Sequence, residues 1–163
     1  MKKTIYHVAA LSLVTLLSGC SHRTPAESDL FNAPAEIEAS KLPFNPLHWK
    51  VITSGIDPQR QTMSTLYGND LAVQSVRAGR DIYPNGSVLS LVTWTQREDP
   101  HWFGARIPGK VRSVEFVTVG KDSTKPGYQR FEGHDLTLAT LSDAQAASAR
   151  CDSILAERAS VMP

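Results

Sequence analysis

Cysteine is almost missing from this chain, and that shortage narrows what the chain can be. The two cysteines are Cys20 and Cys151, far apart and without ligand spacing to a histidine. Histidine is sparse and scattered: beyond the first nineteen residues there are His22, His48, His101 and His134, with no HxxxH spacing. No metal centre is expected from them. No Ser-His-Asp arrangement, glycine-rich phosphate loop or P-loop is visible, so no catalytic residue is assigned. A charge of one sign is lacking as well. Seventeen Lys and Arg face sixteen Asp and Glu without basic clusters, which removes the electrostatic case for nucleic-acid binding. There are no internal repeats.

Long hydrophobic runs are also absent. The apolar stretch "VAALSLVTLL" (8–17) falls far short of a bilayer span. Lys2 and Lys3 precede it and "LSGC" (17–20) follows, which is the pattern of a signal peptide over 1–19 with a small-residue cleavage site. The position of Cys20 resembles the bacterial lipobox. That resemblance implies a diacylated Cys20, removal of residues 1–19 and acylation of the new N-terminus. Ser21 stands where an Asp would signal retention in the inner membrane, so the expected address is the periplasmic face of the outer membrane. Loss of Lys2 and Lys3 would leave fifteen basic against sixteen acidic residues, a net charge of −1. Membrane attachment then rests on the acyl chains, which exceed the two signals that stable anchoring needs. Residues 21–40 are rich in Pro, Ala, Ser and Glu and read as a flexible tether. The expected organisation is a signal peptide over 1–19, a lipidated Cys20 with its tether over 20–44, and one small domain over 45–163.

Within that domain, strands are predicted at 48–55, where a short helix-to-strand start also fits, and at 61–68, 88–96, 111–120 and 128–133. A helix is predicted over 69–80, with Asn69 as N-cap, Asp70 in its first turn and Gly79 as its stop. Asn85-Gly86 in "YPNGS" (83–87) supplies the positive φ angles of a tight turn. A second helix runs from Ser142, which has capping-box spacing to Gln145. Strands that outnumber helices, with helices placed to cover them, make an α+β fold on an antiparallel sheet.

The connector "REDPHWFGARIPG" (97–109) is long for a hairpin and carries Arg97, His101, Trp102, Phe103 and Arg106. A loop of that length and chemistry is a candidate binding or interface element. The competing expectation is a self-packed loop whose two rings plug one end of the sheet.

"YGNDLAVQSVRAG" (67–79) followed by "YPNGSVLSLVTW" (83–94) resembles the cytochrome P460 family. The segments "DPHWFGARIPG" (99–109), "VEFV" (114–117) and "ERASVMP" (157–163) look like its membrane-anchored or periplasmic relatives. The resemblance implies an antiparallel sheet with covering helices, often as a homodimer. It also implies one c-type haem held by a C-terminal CxxCH, in some members with a Lys linked to the porphyrin. Such proteins oxidise hydroxylamine or bind nitric oxide. Here the attachment motif is degenerate. Cys151 stands at its first cysteine, Ile154 at the second and Leu155 at the axial histidine. No lysine can be placed as the crosslink, since the strand 88–96 has none and Lys50 and Lys110 lie elsewhere.

The reading that follows is an outer-membrane lipoprotein, not an enzyme, whose domain has lost covalent haem and needs no cofactor. It would bind a small apolar ligand, or an envelope protein partner through 97–109. Cys151 would then be a buried relic, because a redox role needs exposure and a lowered pKa. The alternative is a haem protein acting on hydroxylamine or nitric oxide, held through Cys151 alone or non-covalently, with His134 or His101 as replacement ligand.

Overall fold

The computed structural model describes residues 31–80, 82–120, 126–140 and 143–160. The chain divides into two units, Met1–Phe31 and Asn32–Pro163, and the second carries the fold. The signal peptide expected over 1–19, Cys20 with the tether up to residue 30, and Ser142 lie outside the described residues.

The sheet is a meander of six strands, each antiparallel to the next in chain order. They are β1 Lys50–Asp57, β2 Thr62–Gly68, β3 Val88–Glu98, β4 Arg106–Thr118, β5 Gly127–Glu132 and β6 Thr137–Leu138. Among the described residues, two helices, α1 Asp70–Arg77 and α2 Ala144–Leu155, and three single 3₁₀ turns before β1 complete the regular structure. The α+β antiparallel architecture is therefore as expected.

Alternation along the strands sends apolar side chains to both faces, and each face has its own cover. On one face Leu66, Leu89 and Val117 pack with Ile52, with Ala72 and Val73 of α1, and with Cys151 and Ile154 of α2. On the other, Val92, Trp94, Val114, Phe116 and Phe131 pack with Ala35, Ile37, Leu42 and Trp49 from the segment ahead of β1. Phe116 meets Trp49 and Phe131 edge-on at 6.4 and 6.0 Å between ring centres, and Phe44 lies 5.8 Å from it.

That second cover corrects one expectation. Residues 32–44 read as tether from their composition, yet Ala35, Ile37 and Leu42 pack on the second face of the sheet. The Trp94 indole N–H donates to the Ala35 carbonyl at 3.0 Å. Their few apolar residues are spaced by 3₁₀ turns at Ala33–Ala35 and Ala39–Lys41, so no helical or strand period marks them.

α1 starts where Asn69 caps it: Asn69 Oδ1 accepts from the Ala72 N–H at 3.1 Å. Gly79, at φ 66°, follows its C-cap Ala78. The cap of α2 differs from expectation. Asp143 Oδ1 accepts from the N–H groups of Gln145 and Ala146 at 2.9 and 3.2 Å. An aspartate directly before the helix is the stronger cap, since its charge also complements the helix N-terminus.

The connector 97–109 is corrected as well. β3 runs on to Glu98 and β4 begins at Arg106, with Arg97 opposite Ile107 and Gln96 opposite Pro108. Only 99–105 is loop. Irregular register around Trp94 carries the ladder past the core. The extension runs beyond the apolar core, with Gln96 and Arg97 half-buried and Asn32 bonded to it. Pro108 is tolerated because β5 pairs with β4 only from Ser113.

Candidate functional site

The helix-covered face of the sheet is apolar at one end and charged at the other. Beyond Leu91 the inward positions become Thr62 and Ser64 on β2, Thr93 on β3, Ser113 and Glu115 on β4, and Arg130 on β5. These line an open cavity of about 510 Å³, together with Asp57, Arg60, Arg112, Arg150 and Glu157. Four arginines and three carboxylates surround it, and Leu91 is its one apolar lining residue.

Glu115 is the pivot. It is 1% exposed between the buried Val114 and Phe116, where a lone carboxylate would be prohibitively costly. Arg150 of α2 grips it with a two-pronged contact, Nε to Oε2 and Nη2 to Oε1, both at 2.8 Å. The Tyr128 hydroxyl donates to Oε2 at 2.5 Å. Burial pushes the Glu115 carboxyl up, but these bonds and the charges of Arg150 and Arg130 outweigh it and leave its pKa below the ordinary range. Burial, then the bond to Glu115, pushes the Tyr128 phenol well above its ordinary value, so it stays a neutral donor. Arg60 pairs with Asp57 at 3.2 Å. Arg130 Nε lies 2.7 Å from Glu132 Oε1 but out of line for a hydrogen bond. Arg60, Arg130 and Arg150 thus each face a carboxylate. Arg112 and Glu157 complete the charged lining, and guanidinium groups on the wall can donate to a carboxylate or oxyanion.

Cys151, Ile154 and Leu155, the positions expected to correspond to the family's attachment motif, lie next to this cavity but do not line it. Cys151 and Ile154 are 3% and 1% exposed and Leu155 is half-buried, all in the cluster with Leu89 and Val117. Burial, with a smaller contribution from Asp152, raises the Cys151 thiol, so it is neither accessible nor ionised at neutral pH. These residues do not fit a covalent c-type haem, which takes two thiols and an axial imidazole. His48, His101 and His134 are exposed, and none of them lines the cavity.

The proposed binding loop is only partly assembled. His101, Trp102 and Phe103 share the hairpin tip, whereas Arg97 and Arg106 sit in its strands. Arg97 Nη2 donates to Asn32 Oδ1 at 2.8 Å, and Arg106 faces Glu98 at 3.5 Å. The two rings plug nothing: both are exposed.

The arginine-lined cavity as a whole has no local sequence signature, because its residues come from five strands, the turn after β1, α2 and the segment that follows it. One signal was available. Glu115 interrupts "VRSVEFVTVG" (111–120) at an inward position, and a charge there demands a partner. Residues 47–161 match the family model of cytochrome P460. No curated protein matches the sequence.

Proposed function

The chain belongs to the cytochrome P460 family, and from that premise we propose that it is a lipoprotein of the outer membrane's periplasmic face, anchored through Cys20, whose domain binds a small anionic ligand in place of covalent haem. The observation that carries the reading is the pairing of two features around α2. The attachment positions hold Cys151, Ile154 and Leu155, packed into the core, and the neighbouring cavity is lined by four arginines. An apolar ligand would have to strip water from those charges without replacing it, so the ligand is polar. A small carboxylate or oxyanion can accept from Arg112 and Arg130 while the Glu115–Arg150 pair stays intact.

Protein isolated from its native envelope without unfolding tests this through its absorption spectrum and native mass spectrum. The expected result is an acylated polypeptide with no Soret band, carrying a dissociable small anion that Arg112→Ala with Arg130→Ala releases. A Soret band with covalently attached haem would overturn the reading in favour of a haem protein acting on hydroxylamine or nitric oxide.

A further inference from the structure

The β3–β4 hairpin holds two aromatic rings in the open. Trp102 is 72% exposed and Phe103 is fully exposed. Single apolar residues on a surface are ordinary, but two adjacent rings at a projecting tip are not. A built turn displays them. The Ala105 N–H donates to the Trp102 carbonyl and the Asp99 N–H to the Ala105 carbonyl, both at 3.0 Å. The His101 N–H donates to Asp99 Oδ1 at 2.8 Å. Gly104, at φ 78°, takes the third position of that turn, where a positive φ favours glycine. Nothing lies within 4 Å of where its Cβ would be.

The second observation is where the chain enters the domain. Asn32 opens the folded unit and is tied to the base of this same hairpin. Its Nδ2 donates to the Pro108 carbonyl at 2.8 Å, and its Oδ1 accepts from Arg97 at 2.8 Å. The polypeptide leading back to Cys20 therefore leaves the domain at the end that carries Trp102 and Phe103. From residue 20 to residue 32 the chain can span at most about 40 Å, so a lipid on Cys20 holds that end within that reach of the bilayer and lets the tip touch it.

Resting on the reading of Cys20 as the anchor, we infer that Trp102 and Phe103 form a membrane-contact tip, inserting into the interface of the bilayer that holds the lipid. Aromatic rings favour that depth, with their apolar bodies toward the acyl chains and the indole N–H toward the headgroups. The charges flanking the tip are mixed: Arg97 and Arg106 against Glu98 and Asp99. Insertion is consequently apolar, and it does not depend on anionic lipid. The tip acts as a second contact that sets the orientation of the domain, with the sheet standing away from the membrane.

The test uses the full mature lipoprotein reconstituted into phosphatidylcholine vesicles, with and without phosphatidylglycerol, whose acyl chains carry bromine near the headgroup. Trp94 is buried and Trp49 half-buried in the second face of the sheet, so quenching reports Trp102. The expected result is quenching that falls severalfold in Trp102→Ala and is the same with either lipid. Acylated protein that floats with the vesicles yet is not quenched overturns the membrane tip and leaves the anchor standing. A chain without acyl mass that fails to float overturns both. A photocrosslinker placed at Phe103 in intact cells gives the second measurement. Adducts with lipid support the tip, and adducts confined to a protein overturn it in favour of protein docking.

Discussion

Removing the Arg150 guanidinium strands the Glu115 carboxylate, and the size of the loss can be worked out from the surroundings of the pair. Breaking a fully buried ion pair by deleting one partner costs ~3–5 kcal/mol. Here the carboxylate side chain is 2% exposed but the arginine is 39% exposed. Once the arginine is gone, water can reach Glu115 through the cavity, and Tyr128 still donates to it. The expected loss for Arg150→Ala is therefore discounted to ~2–3 kcal/mol at neutral pH. Glu115→Gln keeps the shape and leaves an arginine that water can solvate, so it should cost about 1–2 kcal/mol. Glu115→Gln with Arg150→Ala should fall short of the sum of the single losses by ~1–3 kcal/mol, because each single change already removes the shared contact.

The pH dependence carries the sharper test. The folded state holds the Glu115 pKa below its ordinary value. The stability the pair adds is thus fully present above the unfolded value, and it is lost as pH falls through the lower folded one. Glutamine does not titrate, so the gap between the parent and Glu115→Gln should shrink on acidification. Urea unfolding of the parent, both single variants and the double variant, at about pH 7 and about pH 3, measures each term. An Arg150→Ala loss under ~1 kcal/mol would mean the pair behaves like a surface bridge. A Glu115→Gln gap unchanged by acid would refute the assignment of the shift to Glu115.

Three further outcomes follow from the packing. Cys151 should resist an aromatic disulfide reagent at neutral pH and react fully once the chain is unfolded, because burial keeps its thiol protonated and covered; rapid labelling of the folded protein would contradict this. Gly68→Ala should cost ~1–3 kcal/mol in thermal or urea unfolding, since its new methyl would sit 2.7 Å from Ile52 Cδ1 and 3.0 Å from Ala72 Cβ. Asn69→Ala should cost about 1–2 kcal/mol, because it loses both the α1 cap and the 2.8 Å bond from Nδ2 to the Gly86 carbonyl. Asn69→Asp should recover the cap alone and so fall between the two in the same unfolding measurement.

What could be read in the sequence is what depends on neighbours along the chain. The strand 88–96 announced itself through β-branched and aromatic residues, and α1 through Asn69 and Gly79. Both were placed within a few residues. The hairpin extension escaped because "QRE" (96–98) has the composition of a loop. Its strand character comes from a register set further down, at Leu91 opposite Glu115 and Val92 opposite Val114. The cover over 32–44 escaped for a related reason: Ala35, Ile37 and Leu42 gain their meaning only from the sheet they meet. The cavity was the least legible of all. Arg60, Arg112, Arg130 and Arg150 are far apart in sequence and become neighbours only when four strands pair and α2 docks.

Two successive residues of α2 show how the family scaffold serves a different chemistry on the proposed reading. Arg150 turns to the sheet's charged end and binds Glu115, while Cys151 turns into the apolar cluster with Ile154. Burying Ile154 stabilises the helix on the sheet by ~1.5–3 kcal/mol, without directional bonds. The Glu115–Arg150 contact adds the direction, because a guanidinium fork meets a carboxylate in one plane. A helix docked only through Cys151 and Ile154 could slide or rotate over Leu89 and Val117; the buried ion pair fixes its turn. A histidine at position 155 with a second thiol at 154 would have to point those groups at a porphyrin, and that demand competes with using the same positions as core. Ile154 and Leu155 remove the competition. With the apolar stripe committed to the core, the charged end of the sheet is the surface on which the proposed ligand would sit, and its arginines would select that ligand.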